Sequence, residues 1–235
     1  MPSLPPNVNV STHPSIQAKL SQLRSQSTTA RDVKTLIHEI TLLLSSESLA
    51  RALSPTQGPK DKTPLGFEYT TTTVSPGTIS IVPILRSGLA MVEGVQTILP
   101  SPVPVHHLGM YRETTTLQPV EYYNNLPQHA VTSRSGSADG DDAQGPSALA
   151  IIVDPIIATG NTCAAAVATL REWGAERIVV LSVLGAHEGI IRVAEEWSDG
   201  TEIWVAGVDG EITPEGMLKP GLGDVGDRLF LTLGK

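Results

Sequence analysis

Apolar positions recur along this chain with two different spacings. Val33, Leu36, Ile37, Ile40, Leu43 and Leu44 stand three or four residues apart, which is one face of a helix beginning at Arg31. Thr28 or Thr29 is placed to cap it. Beyond Gly77 the pattern changes to short apolar runs that alternate with helical stretches. Strands are predicted at 78–85, 103–110, 148–153, 177–184 and 202–208. Helices are predicted at 87–98, 161–173 and 188–197, the second of them stopping at Gly174. Strands apolar on both faces and separated by helices belong to a mostly parallel sheet covered on both sides, an α/β fold. Such sheets bind ligands beyond the carboxyl ends of their strands. The loops to inspect therefore follow Leu85, Met110, Val153, Leu184 and Val208.

Three segments fall outside this alternation. Residues 1–14 hold Pro2, Pro5, Pro6, Asn7, Asn9 and Pro14 and are expected as an extended or mobile lead-in to a single domain, 15–235. The stretch 54–77, rich in Pro, Gly and Thr, is expected as loop plus a short strand near 67–73. Residues 132–147 are small, polar and acidic with no apolar period, the composition of a solvated, disordered insertion.

Composition narrows the function classes. At 40 % hydrophobic, the 235 residues can bury a core. The net charge of −8, from 16 basic and 24 acidic residues, argues against a nucleic-acid coat or a membrane-surface protein. It does not exclude small anions, which a few placed arginines can hold. Cys163 is the only cysteine, so neither an intramolecular disulfide nor a cysteine-based zinc site is possible. With no signal-like start and no apolar run near 18 residues, the expectation is a soluble intracellular protein, without membrane or nucleic-acid partners. The six histidines show no ligand spacing, since the adjacent His106 and His107 would point to opposite faces of a strand.

Four segments carry chemistry. In the first, the apolar run Ile151, Ile152, Val153 delivers Asp154, and Pro155, Ile156, Ile157, Ala158, Thr159 and Gly160 lead into a helix at Asn161 and Thr162. Amides at a helix start with the Thr159 and Thr162 hydroxyls make a receptor for a phosphate monoester. Gly160 lets the backbone approach closely, and Asp154 stands where a carboxylate can accept from ribose hydroxyls. The segment has neither the glycine-lysine layout of a triphosphate loop nor that of a dinucleotide site. In the second, Val82, Pro83, Ile84 and Leu85 lead to Arg86, Ser87 and Gly88, a guanidinium beside a helix start that suits a diphosphate. The third runs from Leu108, Gly109, Met110, Tyr111 and Arg112 through a polar turn to Val120, Glu121, Tyr122 and Tyr123, a strand–arm–strand pattern. The fourth, Pro220, Gly221, Leu222, Gly223, Asp224, Val225, Gly226, Asp227, Arg228, is too rich in glycine for a helix, yet its apolar residues want burial. A folded loop presenting backbone N–H and C=O groups fits it.

Together and in this order, from about residue 13 onward, these segments resemble the type I phosphoribosyltransferases, and within them the uracil phosphoribosyltransferases. Proline at 155, in place of a second acid, and the glycine-rich run are the most specific points of likeness. The resemblance implies a mostly parallel sheet flanked by helices, a β-arm at about 109–130, and a small C-terminal hood carrying the base-binding loop. It implies conversion of uracil and 5-phosphoribosyl-1-diphosphate (PRPP) to UMP and diphosphate in pyrimidine salvage. PRPP is then expected on Arg86, Arg112, Asp154, Pro155, Ile156, Ile157, Ala158, Thr159, Gly160, Asn161, Thr162 and Asp224. Uracil is expected on Leu218, Gly223, Asp224 and Val225, with Asp154, Arg86, Arg112 and Asp224 as catalytic residues. Mg²⁺ is implied as cofactor, held mainly through PRPP and water rather than by protein ligands. A homodimer or homotetramer, a possible GTP effector and a cytoplasmic location follow from the same resemblance. The alternatives are another base specificity, or a non-catalytic PRPP or nucleotide sensor on the same fold. The sequence departs from the family pattern at Asn161 (glycine), Met217 (tyrosine), Leu218 and Lys219 (β-branched) and His187 (proline).

Overall fold

The computed structural model of the chain describes residues 3–113, 119–127 and 146–232. It begins with β1 (Val8–Val10), α1 (Pro14–Arg24) and α2 (Ala30–Ala52). A hairpin of β2 (Ser54–Lys62) and β3 (Glu68–Ser75) follows, then β4 (Ile79–Leu85), α3 (Leu89–Ile98), β5 (Leu108–Arg112) and β6 (Pro119–Asn124). The second half runs β7 (Leu149–Val153), β8 (Ile156–Ile157), α4 (Asn161–Trp173), β9 (Arg177–Ser182), β10 (Leu184–Ala186) and α5 (His187–Glu196). After β11 (Thr201–Val205) and β12 (Val208–Asp209) come the ribbon of β13 (Glu211–Ile212) with β14 (Leu218–Lys219), and the short helix α6 (Val225–Phe230).

Seven strands form the main sheet in the order β1-β11-β9-β7-β4-β5-β6, parallel throughout except for the β5–β6 pair. The pleat of β7 divides the core. Leu149, Ile151 and Val153 face the layer of α1, α2 and α3, where Ile16, Ile37, Ile40 and Met91 are fully buried. Ala150 and Ile152 face α4 and α5, against Val167, Leu170, Ile190 and Val193. Successive side chains of a strand point to opposite faces, so a central strand covered on both sides must be apolar at every position. All five residues of β7 are buried.

At their carboxyl ends β7, β9 and β11 break and continue as a second, three-stranded parallel sheet in the order β12-β10-β8. Asp154 and Pro155 lie at the first break, and the Pro155 carbonyl accepts the N–H groups of Val183 and Leu184 at 3.1 and 3.0 Å. The expected single strands at 177–184 and 202–208 are thus each two strands. In the predicted 103–110 strand, pairing is continuous only from Leu108, preceded by an isolated bridge between Val105 and Ile81.

Other expectations are corrected at the edges. The lead-in is not loose: Val8, Asn9 and Val10 pair in parallel with Ile203, Trp204 and Val205. The helix α1 is not among the predicted elements, although its buried residues Ile16, Leu20 and Leu23 stand at helical steps of four and three. Stretch 54–77 is a long antiparallel hairpin, in register from Ser54 opposite Ser75 to Lys62 opposite Glu68, with an irregularity between Gln57 and Lys60. The glycine-rich run does end in a helix, because Asp224 caps α6 by accepting the Asp227 N–H at 2.9 Å. Thr29 rather than Thr28 caps α2, accepting the Asp32 N–H at 3.3 Å. The insertion expected at 132–147 lies outside the described residues except for Pro146 and Ser147, as does the part of the arm at 114–118 and 128–130. Among the described residues, no helix is long and apolar enough to cross a membrane.

Candidate active site

The breaks in the main strands set one wall of a cleft. Asp154, at the end of β7, is 9 % exposed, and the Ser87 hydroxyl donates to its Oδ1 at 3.2 Å. Gly160 takes the left-handed conformation (φ 80°) and starts α4 without any side-chain cap on the first-turn amides. A Cβ there would run into the Gly189 carbonyl, and one at Gly189 would run into the Ala158 carbonyl. The loop and the start of α5 therefore pack backbone against backbone, which fixes the 158–162 amides at a helix N-terminus. Asn161 is the first residue of α4 with no positive φ, so the glycine that the family pattern has there is not needed by the backbone.

A second loop joins β4 to α3. A Cβ on Gly88 would collide with the carbonyls of Val153 and Ile84, so this glycine lets the loop sit on the end of β7 and brings Ser87 to Asp154. The Leu85–Arg86 peptide is cis. The Arg86 side chain is 54 % exposed at the rim of the cleft, its Nη2 3.6 Å from Asp227 Oδ1 and its Nη1 3.3 Å from Thr232 Oγ1. Its guanidinium also stands 6.0 Å from the centre of the Phe230 ring.

The opposite wall is the C-terminal loop between β14 and α6. Gly221 and Gly223 both have positive φ (67° and 74°), and a Cβ on Gly221 would meet the Leu218 carbonyl. Arg228 braces the loop, donating through Nη1 to the carbonyls of Leu23 and Leu222 at 2.7 and 2.8 Å.

Between these walls lies an open cleft of about 250 Å³. Of the residues expected from sequence, Asp154, Ile156, Ile157, Ala158, Thr159, Gly160 and Thr162 line one side, and Leu218, Gly223, Asp224 and Val225 line the other. Three of the described ones do not line it. Pro155 is buried and spends its carbonyl on the strand break, Asn161 sits half-buried behind the loop, and Arg86 stands at the rim. The Arg112 side chain lies outside the described residues. The sequence reading missed Ile84, Leu85, Ser87 and Met110 at the strand ends, and Gly216 and Gly226 beside the base loop. The rule that ligands sit at strand carboxyl ends points to the first four. Of the departures, Met217 lines the cleft, Lys219 is exposed and paired with Glu211 at 2.8 Å, and His187 is buried at the start of α5.

Cys163 also borders the cleft but is only 2 % exposed. Burial, with the Asp154 carboxylate adding to it, pushes its thiol well above the usual range. A neutral buried thiol is no nucleophile. Among the described residues, no group of three or more His, Cys, Asp or Glu could hold a metal ion.

Residues 10–232 match the family model for uracil phosphoribosyltransferase. The chain belongs to the uracil phosphoribosyltransferase family. It is 39 % identical over 225 residues to the uracil phosphoribosyltransferase of Finegoldia magna, covering 96 % of this chain and 98 % of that one. The enzyme of the same name from Clostridioides difficile is 38 % identical over 221 residues, with 94 % and 96 % covered. Among solved structures, a protein from Aquifex aeolicus shares the fold with a TM-score of 0.81 at 28 % identity, over 96 % of this chain and 98 % of its own. An adenine phosphoribosyltransferase from Trypanosoma brucei, at a TM-score of 0.50 and 13 % identity over 90 % of this chain and 88 % of that one, shares the fold alone. The fold is that of the type I phosphoribosyltransferases, and the family is one of transferases.

Proposed function

We infer that the chain transfers the 5-phosphoribosyl group of PRPP to N1 of uracil, yielding UMP and diphosphate for pyrimidine salvage. The observation that carries this is the facing of two walls across one cleft: a helix-start phosphate receptor with a carboxylate on one side, a glycine-rich backbone edge on the other. Family membership supplies the base and the donor.

In this reading the 5′-phosphate lies on the amides of 158–162 with the Thr159 and Thr162 hydroxyls. Asp154, oriented by Ser87, accepts from the ribose hydroxyls. The bond from C1′ to the diphosphate oxygen breaks as the bond to uracil N1 forms, and the N1 proton passes to the departing diphosphate or to water. Arg86 and Arg112 hold the departing diphosphate, Arg86 by turning inward from its contacts with Asp227 and Thr232. Uracil, with two carbonyls flanking an N–H, is read by backbone groups at Leu218, Gly223 and Val225, and Asp224 helps place PRPP. Positioning and electrostatics then do most of the work, as in other reactions of phosphate substrates.

The donor set fits Mg²⁺ that arrives on the substrate. Among the described residues, two carboxylates, Asp154 and Asp224, line the cleft, and Mg²⁺ commonly binds through one or two carboxylates with phosphates and waters. Bound there, it would offset charge on the leaving diphosphate. The β5–β6 pair, with Met110 at the cleft and Tyr111, Tyr122 and Tyr123 exposed, supports an arm that closes over PRPP and keeps water from C1′. The β2–β3 hairpin leaves Leu65 and Phe67 84 % and 70 % exposed. A lone two-stranded ribbon is marginal in water, which supports a homodimer or homotetramer in which another subunit covers it. A single buried cysteine is in keeping with a cytoplasmic location.

The test is to mix PRPP, Mg²⁺ and uracil and measure diphosphate and UMP, with adenine and hypoxanthine in parallel and GTP added as effector. Uracil-dependent diphosphate release is expected. PRPP binding without UMP formation would instead indicate a sensor, and turnover of a purine would overturn the base assignment.

A further inference from the structure

Gly221, in the middle of the C-terminal loop, has both of its backbone polar groups held by a partly buried ion pair. The Asp209 carboxylate, with 4 % of its side chain exposed, takes both Nη1 and Nη2 of Arg24, at 3.0 and 2.6 Å. The same Oδ2 accepts the Gly221 N–H at 2.8 Å, while Arg24 Nη1 donates to the Gly221 carbonyl at 2.9 Å. Arg24 is the last residue of α1, and Asp209 the last of β12. Three parts of the chain separated by up to 197 residues thus meet at one glycine.

The position of Asp209 in the second sheet gives this contact a functional meaning. β12 pairs with β10, and β10 with β8, the strand that opens the phosphate loop. Neighbouring strands lie about 4.8 Å apart, so β8 and β12 are separated by roughly 10 Å through rigid hydrogen-bonded backbone. The sheet thus carries the sugar-phosphate receptor on one edge, and on the other the carboxylate that grips the base loop.

We propose that the Arg24–Asp209 pair is a positioning device that sets the base-reading edge at a fixed distance from the phosphate loop, a role resting on the phosphoribosyl-transfer reading above. Neither residue borders the cleft, and the guanidinium and carboxylate are spent on each other and on the Gly221 backbone. A bidentate guanidinium–carboxylate pair fixes angle as well as distance. A lysine could not reproduce it. The pair sets the affinity for uracil far more than that for PRPP, which reaches this loop only through Asp224 and otherwise lies on the opposite wall.

The experiment uses the full-length chain with Asp209→Asn and Arg24→Lys, each checked for folding by circular dichroism and thermal melting. Steady-state rates are measured with uracil and PRPP varied in turn. The expected result is a rise of about tenfold or more in KM for uracil, with KM for PRPP within about twofold. Equal rises in both constants, or a lower melting temperature with both constants unchanged, would make the pair a merely structural support and overturn the proposal. Amide hydrogen exchange supplies a readout independent of activity. Asp209→Asn should speed exchange at Gly221, whose N–H is bonded to the Asp209 carboxylate, at least tenfold while the β7 amides stay as in the unsubstituted chain. Unchanged exchange in the loop refutes the positioning role even if the chain turns over no uracil. Loss of turnover in the unsubstituted chain, with the exchange effect present, counts against the reaction and not against the clamp.

Discussion

Replacing Gly160 by alanine tests how tightly the phosphate loop is built. The new Cβ meets two separate costs. A left-handed φ of 80° disfavours any side chain, by about 1–2 kcal/mol per residue. The Cβ also points at the Gly189 carbonyl, a backbone atom that cannot rotate aside, and such overpacking costs about 1–3 kcal/mol. The sum, roughly 2–5 kcal/mol, corresponds to a factor of about 30 to several thousand in an equilibrium. If the loop stays in place the strain lowers stability, by about 2–4 °C in melting temperature per kcal/mol for a chain this size. If the loop moves, PRPP affinity falls instead. Gly174→Ala is the control. It also has a positive φ (103°), but its Cβ would meet the Pro146 side chain at 3.0 Å, at the far end of α4. Melting curves and KM for PRPP should separate them: both variants melt lower, and only Gly160→Ala loses PRPP affinity or most of its turnover. A Gly160→Ala protein with KM for PRPP within twofold of the parent, and a melting loss no larger than that of the control, would refute the close-packed loop.

Asp154→Asn should lower turnover at saturating PRPP by tenfold or more, because an amide makes poorer hydrogen bonds to ribose hydroxyls; a loss of only a few-fold removes the ribose role. Cys163 should resist alkylation in the folded chain at pH 8, since burial and the neighbouring Asp154 carboxylate raise its pKa and keep the thiol neutral; rapid labelling without denaturant would contradict this. Thr29→Ala should cost about 1 kcal/mol by removing the α2 cap, seen as about 2–4 °C in melting with kinetics unchanged.

The parts of the fold that sequence revealed are those held by local rules. Both ends of α4 were legible because glycines stand at them, Gly160 before Asn161 and Gly174 after Trp173, each in a conformation that favours glycine. β7 was legible because a strand covered on both faces has no polar position. The phosphate wall and the glycine-rich wall were legible as motifs. What stayed hidden depends on distant partners. β1 is held by backbone pairing to β11 and by the Asn7 side chain, which donates to the carbonyls of Ala194 and Thr201 at 3.1 and 3.0 Å. Its own asparagines and prolines read as loop. β2 contains Pro55, Gly58 and Pro59, which argue against a strand, and it forms only because Thr-rich β3 lies beside it. Pro155 belongs to the motif but serves the strand break, a distinction that only the Val183 and Leu184 hydrogen bonds reveal. Arg86 was placed at the right junction, while its outward direction depends on Asp227 and Thr232, more than 140 residues further along.

The most direct measurement is a crystal structure of the chain with UMP bound. The phosphate should contact the backbone amides of 158–162, the ribose hydroxyls should lie against Asp154, and the base should meet backbone atoms of Leu218, Gly223 and Val225. A nucleotide bound in the reverse direction, or seated outside the cleft between these two walls, would contradict the account.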